Sequence, residues 1–302
     1  MEKSPTFVLT RYLYVKDDVL ASLCTSILDK DVEQAAFWTC ELYYSGFETI
    51  VVEYLHTLYQ QFFKSNNPRL EPFIQKMKAR IGEGAHIAVT IAHNLAVKPR
   101  KFTVHDFAIH NIDPEILQGA YEKETRILVH IPQEAMEKYK TRDMGATRNW
   151  KFLEQVCLYE TRKDMMNIFG GGHRNLDTKY MCEMHRMDKH WVYCATFSPI
   201  WMKRVQEHNG TIDDETKTVI FEDDDDLENF FELYGYEPDE QSVQIQRRLM
   251  HVTKYKQLTM GGFCRHYDTK SVKSVRKSKE CVTHQSNIIH NKSGQSEQHA
   301  TP

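Results

Sequence analysis

Apolar side chains recur at helical spacing through most of the first hundred residues. Asp17 and Asp18 sit where an N-cap and a first-turn acid belong, ahead of Val19/Leu20, Leu23/Cys24 and Ile27/Leu28. A second helix is predicted from Asp31 to Ser45, with Ala35, Ala36, Phe37, Trp38, Leu42 and Tyr43 available for burial. Gly46 supplies its left-handed stop. The clearest pattern follows. Ile50/Val51, Tyr54/Leu55, Leu58/Tyr59 and Phe62/Phe63 are doublets four residues apart, and Glu48, Glu53, Gln60, Gln61 and Lys64 mostly fill the other face. Asn66, Asn67 and Pro68 end it. A fourth helix is predicted over Leu70 to Ile81, with Pro72 in its first turn. The segment Ala85 to Val97 is apolar nearly all round, which predicts a central, buried helix. No repeat of fixed period is present, so these helices read as a bundle or a stack of helical hairpins rather than a repeat array.

The rest of the chain is less regular. Lys101 to His110 fits a strand or a loop, and Ile112-Asp113-Pro114 opens a short helix to about Tyr121. Arg126 to Ile131 reads as a short strand, Pro132 to Tyr139 as a small helix, and Thr147 to Phe169 as a long one. The glycines 170–172, beside His173 and Arg174, follow that helix. A phosphate cradle would precede a helix, so a flexible connection is the better reading. Ser198-Pro199 starts a helix through Ile200, Trp201 and Val205 that Asn209-Gly210 stops. Thr218 to Phe221 reads as a short strand. The expected fold class is therefore mainly α. A helical domain over 1–98 carries a second, mainly helical part over 99–257, and composition predicts a disordered basic tail over 258–302.

With 302 residues, 41% of them apolar, the chain can build a packed core. Its net charge of 39 − 42 = −3 gives no global attraction to nucleic acid or an acidic membrane. No run of apolar residues is long enough for a transmembrane helix, and the first residues are too short and polar for a signal peptide. Seven scattered Cys, an odd number, fit a reducing compartment better than a disulfide framework. The expectation is an intracellular protein that neither enters a membrane nor is secreted.

Charge is segregated along the chain. Residues 211–240 carry thirteen acids and one base, and residues 253–302 carry nine bases and three acids. The run Asp223 to Asp226 lacks the spacing of a calcium loop and reads as the first-turn acids of a helix. Interleaved acids and aromatics make Phe221, Asp223, Asp224, Asp225, Asp226, Phe230 and Phe231 candidates for docking onto a basic protein partner. In the tail, Lys270, Lys273, Arg276, Lys277 and Lys279 are candidates for nucleic-acid contact.

Cys182, His185, His190 and Cys194 have the spacing C-x2-H-x4-H-x3-C, which is close to a zinc knuckle. A helix seam competes for the same residues: Tyr180, Met184, Met187, Trp191 and Cys194 are spaced 4, 3, 4 and 3, with Asp177 as N-cap. On a helix the four ligands cannot converge on one ion, and only His190 and Cys194, at i and i+4, could share one. The helix reading is favoured and no cofactor is expected, with zinc as the alternative. The chain has no Walker loop, nucleophile elbow, paired-carboxylate signature or zinc-protease helix, so the expectation leans away from an enzyme.

The strings Arg11-Tyr-Leu-Tyr-Val-Lys-Asp17, Phe37-Trp38 and Glu41-Leu-Tyr-Tyr-Ser-Gly-Phe47 resemble the opening of a family of uncharacterised proteins of large nucleocytoplasmic DNA viruses, the mimivirus-like giant viruses and their relatives. Pro199-Ile-Trp201, Asn209-Gly210 and Tyr236-Glu-Pro-Asp-Glu-Gln241 are similar to its later part. The resemblance spans roughly residues 11–250 and leaves out the basic tail. It implies a virus-encoded protein of the host cytoplasm or nucleus, or of the virion, and supplies no catalytic residues. The function expected is a non-enzymatic interaction or scaffold protein serving viral transcription, replication or assembly. The alternative is a zinc-containing nucleic-acid-binding protein that uses the Cys/His cluster and the basic tail.

Overall fold

A computed structural model of the chain describes residues 8–100, 127–162, 190–249 and 260–267. The fold is mainly α. It begins with α1 (Lys16–Leu28), α2 (Val32–Tyr43) and α3 (Glu48–Leu58), and a π turn over Tyr59–Phe63 extends α3. Then come α4 (Leu70–Lys78), a 3-10 turn (Ile81–Glu83) and α5 (Ala85–Val97). Beyond these lie a 3-10 segment (Gln133–Tyr139), α6 (Asn149–Val156), a helical turn at 190–195 and α7 (Pro199–Glu207). A two-stranded antiparallel ribbon follows, β1 (Thr211–Asp213) and β2 (Thr218–Ile220), with Thr211 opposite Ile220. The described chain closes with α8 (Asp224–Tyr234), α9 (Val243–Leu249) and α10 (Met260–Tyr267).

The helical reading of the first hundred residues fits, with instructive local differences. Helix α1 starts at Lys16 with Val15 in the cap position, so Asp17 and Asp18 are both first-turn acids rather than the cap. Asp31 does cap α2, accepting the Gln34 N–H. Helix α4 ends at Lys78, and the chain turns again before Ile81. In α3 the doublets recur every four residues, which advances the stripe by about 40° per turn of an ideal α-helix. The wider π turn, closed by Lys64 N–H to the Tyr59 carbonyl, lets Tyr59, Phe62 and Phe63 all reach the interior. The drift has a counterpart at the other end, where Ile50 faces solvent and Val52 is buried instead.

Gly46 has two reasons to be glycine. Its φ is +87°, and a Cβ there would meet Pro199 Cβ at 2.5 Å. The turn after α2 therefore rests directly on the start of α7, and the Ile200 N–H donates to the Ser45 carbonyl.

Several backbone segments lie extended on the helices, and helix side chains satisfy their polar groups. Arg126 to Ile131 are expected to form a strand; Arg126 lies outside the described residues, and among these no strand pairs with 127–131. The Val129 N–H donates to Asn94 Oδ1, and its carbonyl accepts from Asn94 Nδ2. The Ile131 N–H donates to Thr90 Oγ1, and Lys98 Nζ donates to the Ile127 carbonyl. The long helix expected over 147–169 is also corrected, because α6 stops at Val156. Residues 157–162 then run across α1 and α9. Tyr14 OH donates to the Tyr159 carbonyl, the Arg162 N–H to Ser22 Oγ, and Arg248 Nη1 to the Cys157 carbonyl. Outside a helix these residues find backbone partners in side chains of α1, of α9 and of the loop before α1.

The expected tail over 258–302 needs correction at its start. Residues 260–267 form α10, with Phe263 and Tyr267 buried on one face and Tyr267 beneath the Arg100 guanidinium. Two rings four apart give that turn an apolar stripe to bury. One hydrophobic core runs from Leu9 to Tyr267 and takes side chains from both sides of residue 98.

Candidate functional site

The acidic candidate face belongs to α8 and the strand before it. Asp223 caps the helix by accepting the Asp226 N–H, and Asp224, Asp225 and Asp226 fill the first turn, where the helix dipole favours negative charge. Asn209, at the end of α7, donates to Asp226 Oδ2 and ties the helix start to the preceding turn. Glu222, Asp223, Asp224, Asp225, Glu228 and Glu232 are exposed. None of them forms an ion pair with a described cation. Ile220 and Leu227, in the same segment, expose 54% and 40% of their surface.

The aromatic half of that candidate set sits elsewhere. Phe230 is fully buried, and Phe221 and Phe231 pack beside it with ring centroids 4.9 and 5.4 Å away. Phe230 is therefore withdrawn from the surface, while Phe221 and Phe231 stay partly exposed. The three rings anchor the helix, so the carboxylates project from a rigid support rather than from a loop. Phe230 in turn meets Trp201 of α7 and His208 just past its end. At the far end of the face, burial pushes the Glu237 carboxyl up, and the nearby Asp239 and Glu240 carboxylates add to the effect.

The metal candidates are only partly described. His190 and Cys194 lie one helical turn apart at 190–195, while Cys182 and His185 lie outside the described residues. Among the described residues, no group of three or more His, Cys, Asp and Glu side chains is arranged to hold a metal ion. The expected helix over 112–121, the ambiguous stretch 101–110, the glycine run 170–172 and the basic candidates Lys270, Lys273, Arg276, Lys277 and Lys279 also lie outside the described residues. No helix among the described residues is long and apolar enough to cross a membrane.

Composition and periodicity missed a buried polar hub. Residues 8–15 form a tight loop closed by a Leu9–Val15 bridge, with Leu13 at φ +65°. Arg11 Nε donates to Glu41 Oε2 at 2.9 Å, and its Nη1 donates to the Tyr139 carbonyl at 2.7 Å. Both ends of the ion pair are almost wholly buried. Arg204 Nη1 donates to the Arg11 carbonyl, and its guanidinium lies over the rings of Trp201 and Tyr234 at about 4.5 Å. Trp201 Nε1 donates to the Thr10 carbonyl. This hub joins α2, the 3-10 segment and α7. Its guanidinium groups face rings, carbonyls and Glu41, with Arg204 Nη2 buried and without a hydrogen-bond partner among the described residues.

The buried thiols are structural. Burial pushes Cys24 and Cys40 up to about 12 and raises Cys157 further above its ordinary value. Alkylation needs thiolate and access. Iodoacetamide at about pH 8 is therefore expected to leave Cys24, Cys40 and Cys157 unmodified in the native chain and to modify all three in urea. Peptide mass spectrometry reads this directly, and rapid native labelling of Cys40 would contradict the core described above.

Comparison with family models, with curated proteins and with solved structures gives no match.

Proposed function

We propose that this chain is a non-enzymatic interaction or scaffold protein of a large DNA virus, serving viral transcription, replication or assembly, and that the α8 face docks a basic segment of a protein partner. One observation carries the docking reading. The carboxylates of Glu222, Asp224, Asp225, Glu228 and Glu232 stand exposed and unpaired among the described residues, beside exposed Ile220 and Leu227, on a helix seated by buried rings. Unpaired surface charge of one sign steers an oppositely charged partner and fixes its register, and the two exposed aliphatic side chains add apolar area to the contact. The viral setting rests on the sequence resemblance alone.

Neutralising the face tests the proposal. The triple variant Asp224→Asn, Asp225→Asn, Glu228→Gln removes exposed charge and keeps Asp223 as the cap. It is expected to fold with unchanged circular dichroism. Exposed pairs contribute up to about 1 kcal/mol each, so affinity for a synthetic Lys/Arg-rich peptide should fall roughly ten-fold or more at low salt. Unchanged affinity would remove the α8 face from the proposal.

A further inference from the structure

Helix α5 is apolar nearly all round, yet it carries Thr90 and Asn94 at a spacing of four, followed by Lys98 just past its end. Those three side chains hold residues 127–131 entirely through the backbone. Lys98 meets the Ile127 carbonyl at 2.8 Å, Asn94 meets both the N–H and the carbonyl of Val129 at 3.0 and 2.7 Å, and Thr90 meets the Ile131 N–H at 3.0 Å. The match is geometric. Four residues of helix rise about 6 Å, and two residues of extended chain span about 6.6 Å. From Thr90 to Lys98, polar side chains at every fourth position thus meet every second residue of the segment running antiparallel to the helix.

The row does not end at Thr90. One turn earlier lies His86, whose Nδ1 is buried without a partner. The matching position on the bound segment is Gln133. The chain has already left the groove there, because Pro132 precedes a 3-10 turn that begins at Gln133. A second asparagine shows the same chemistry cut short. Asn67 Nδ2 donates to the Pro99 carbonyl at 2.7 Å, while its Oδ1 stays buried and unpartnered, because proline has no N–H to offer.

The bound segment gains little from its side chains. Ile127 exposes 76% and Leu128 40%, and His130 is exposed with only an edge contact to Phe73. Ile131 alone packs part of its side chain against the core. We propose that the His86–Thr90–Asn94–Lys98 row is a backbone-reading groove for an extended peptide, occupied in this chain by residues 127–131. A partner's extended segment docks there by exchange. Its ligand is an extended strand with an aliphatic residue at the position of Ile131 and no proline at the position of Val129, and a strand that stays extended two residues longer satisfies His86. This groove is separate from the α8 face and stands independently of it.

A fluorescent peptide of the chain's own residues 127–133 serves as the probe. In the native chain the groove is filled in cis at an effective concentration on the order of millimolar. The Val129→Pro variant removes the N–H that Asn94 accepts and frees the row. It is expected to bind the peptide at least about ten-fold more tightly than the native chain. Adding Asn94→Ala should abolish that binding, as should N-methylation of the peptide at the valine nitrogen, while alanine at the leucine and histidine positions should change it little. Equal binding by the methylated peptide, or no binding to a folded Val129→Pro variant, would overturn the proposal. If Val129→Pro does not fold, hydrogen exchange on the unaltered chain decides. Excess peptide should accelerate exchange of the chain's own Val129 amide, and protection unchanged by excess peptide would overturn the proposal. Neutralising the α8 face should leave all of these results as they are.

Discussion

Replacing Glu41 by alanine is expected to destabilise the chain by about 3–5 kcal/mol, the cost of stranding a buried guanidinium. Glu41 accepts from Arg11 Nε and from the Tyr12 N–H, and neither member of the pair is more than 2% exposed. Burial works against the charge on Arg11. The Glu41 carboxylate and its hydrogen bond outweigh that, with Tyr12 adding to them, so the Arg11 pKa lies above its ordinary value. Without Glu41 that compensation disappears, while the Tyr139 carbonyl and the Tyr12 and Tyr44 rings still hold the cation in place. The double variant Arg11→Met, Glu41→Leu removes both charges and keeps the volume. It is expected to be clearly more stable than Glu41→Ala, since well-packed apolar residues often replace a buried pair without loss. Urea unfolding followed by circular dichroism measures both. A midpoint for Glu41→Ala equal to that of the native chain would mean that the hub does not hold the fold.

The second large effect is expected at Trp201. Its side chain is fully buried, meets Trp191, Tyr234 and Tyr236 edge-on, lies beneath Arg204, and reaches the Thr10 carbonyl through Nε1 at 2.9 Å. Trp201→Ala leaves a cavity among rings and takes one of two donors from the Thr10 carbonyl, which keeps the Leu13 N–H, at a cost of about 3–5 kcal/mol. Trp201→Phe retains much of the packing and loses one hydrogen bond to a carbonyl that keeps its other donor, at roughly 0.5–1.5 kcal/mol. Because this ring ties residues near 200 to the loop near residue 10, the loss should register on both sides of residue 98. Hydrogen exchange is expected to show α2 and α7 losing protection together. Destabilisation confined to α7 would mean that the shared core is weaker than its packing implies.

The helices of the first hundred residues were legible because each buries one stripe, and a stripe is a local pattern. The start and stop of α7 were legible through Ser198-Pro199 and Asn209-Gly210, although Ser198 makes no side-chain cap bond. The extended segments were not legible. Residues 127–131 resemble a strand in composition, but their partners are Thr90, Asn94 and Lys98, and a strand pattern says nothing about a helix side chain as partner. A signal was nevertheless present. Thr90 and Asn94, four apart on an otherwise apolar helix, must find polar partners when buried. The Arg11–Glu41 pair was hard to read because thirty residues separate its members, and Glu41, on the face of Phe37 and Trp38, names no partner by its place in the stripe. At the acidic face, the carboxylates were correctly read as first-turn acids. Phe230 beside them faces inward, because an aromatic in an amphipathic helix gains more from burial than from display, and Phe221 and Phe231 are partly covered against it.

The docking role of α8 is tested most directly by titrating a labelled Lys/Arg-rich peptide against the native chain across a salt series. The Debye length falls from about 10 Å near 0.1 M salt to about 3 Å near 1 M, so steering by exposed carboxylates should fade across that range. The account predicts binding at low salt that weakens steadily and is lost at high salt, with the Asp224, Asp225, Glu228 triple variant weak throughout. Binding that ignores both salt and the triple variant, or no binding at low salt, would contradict it.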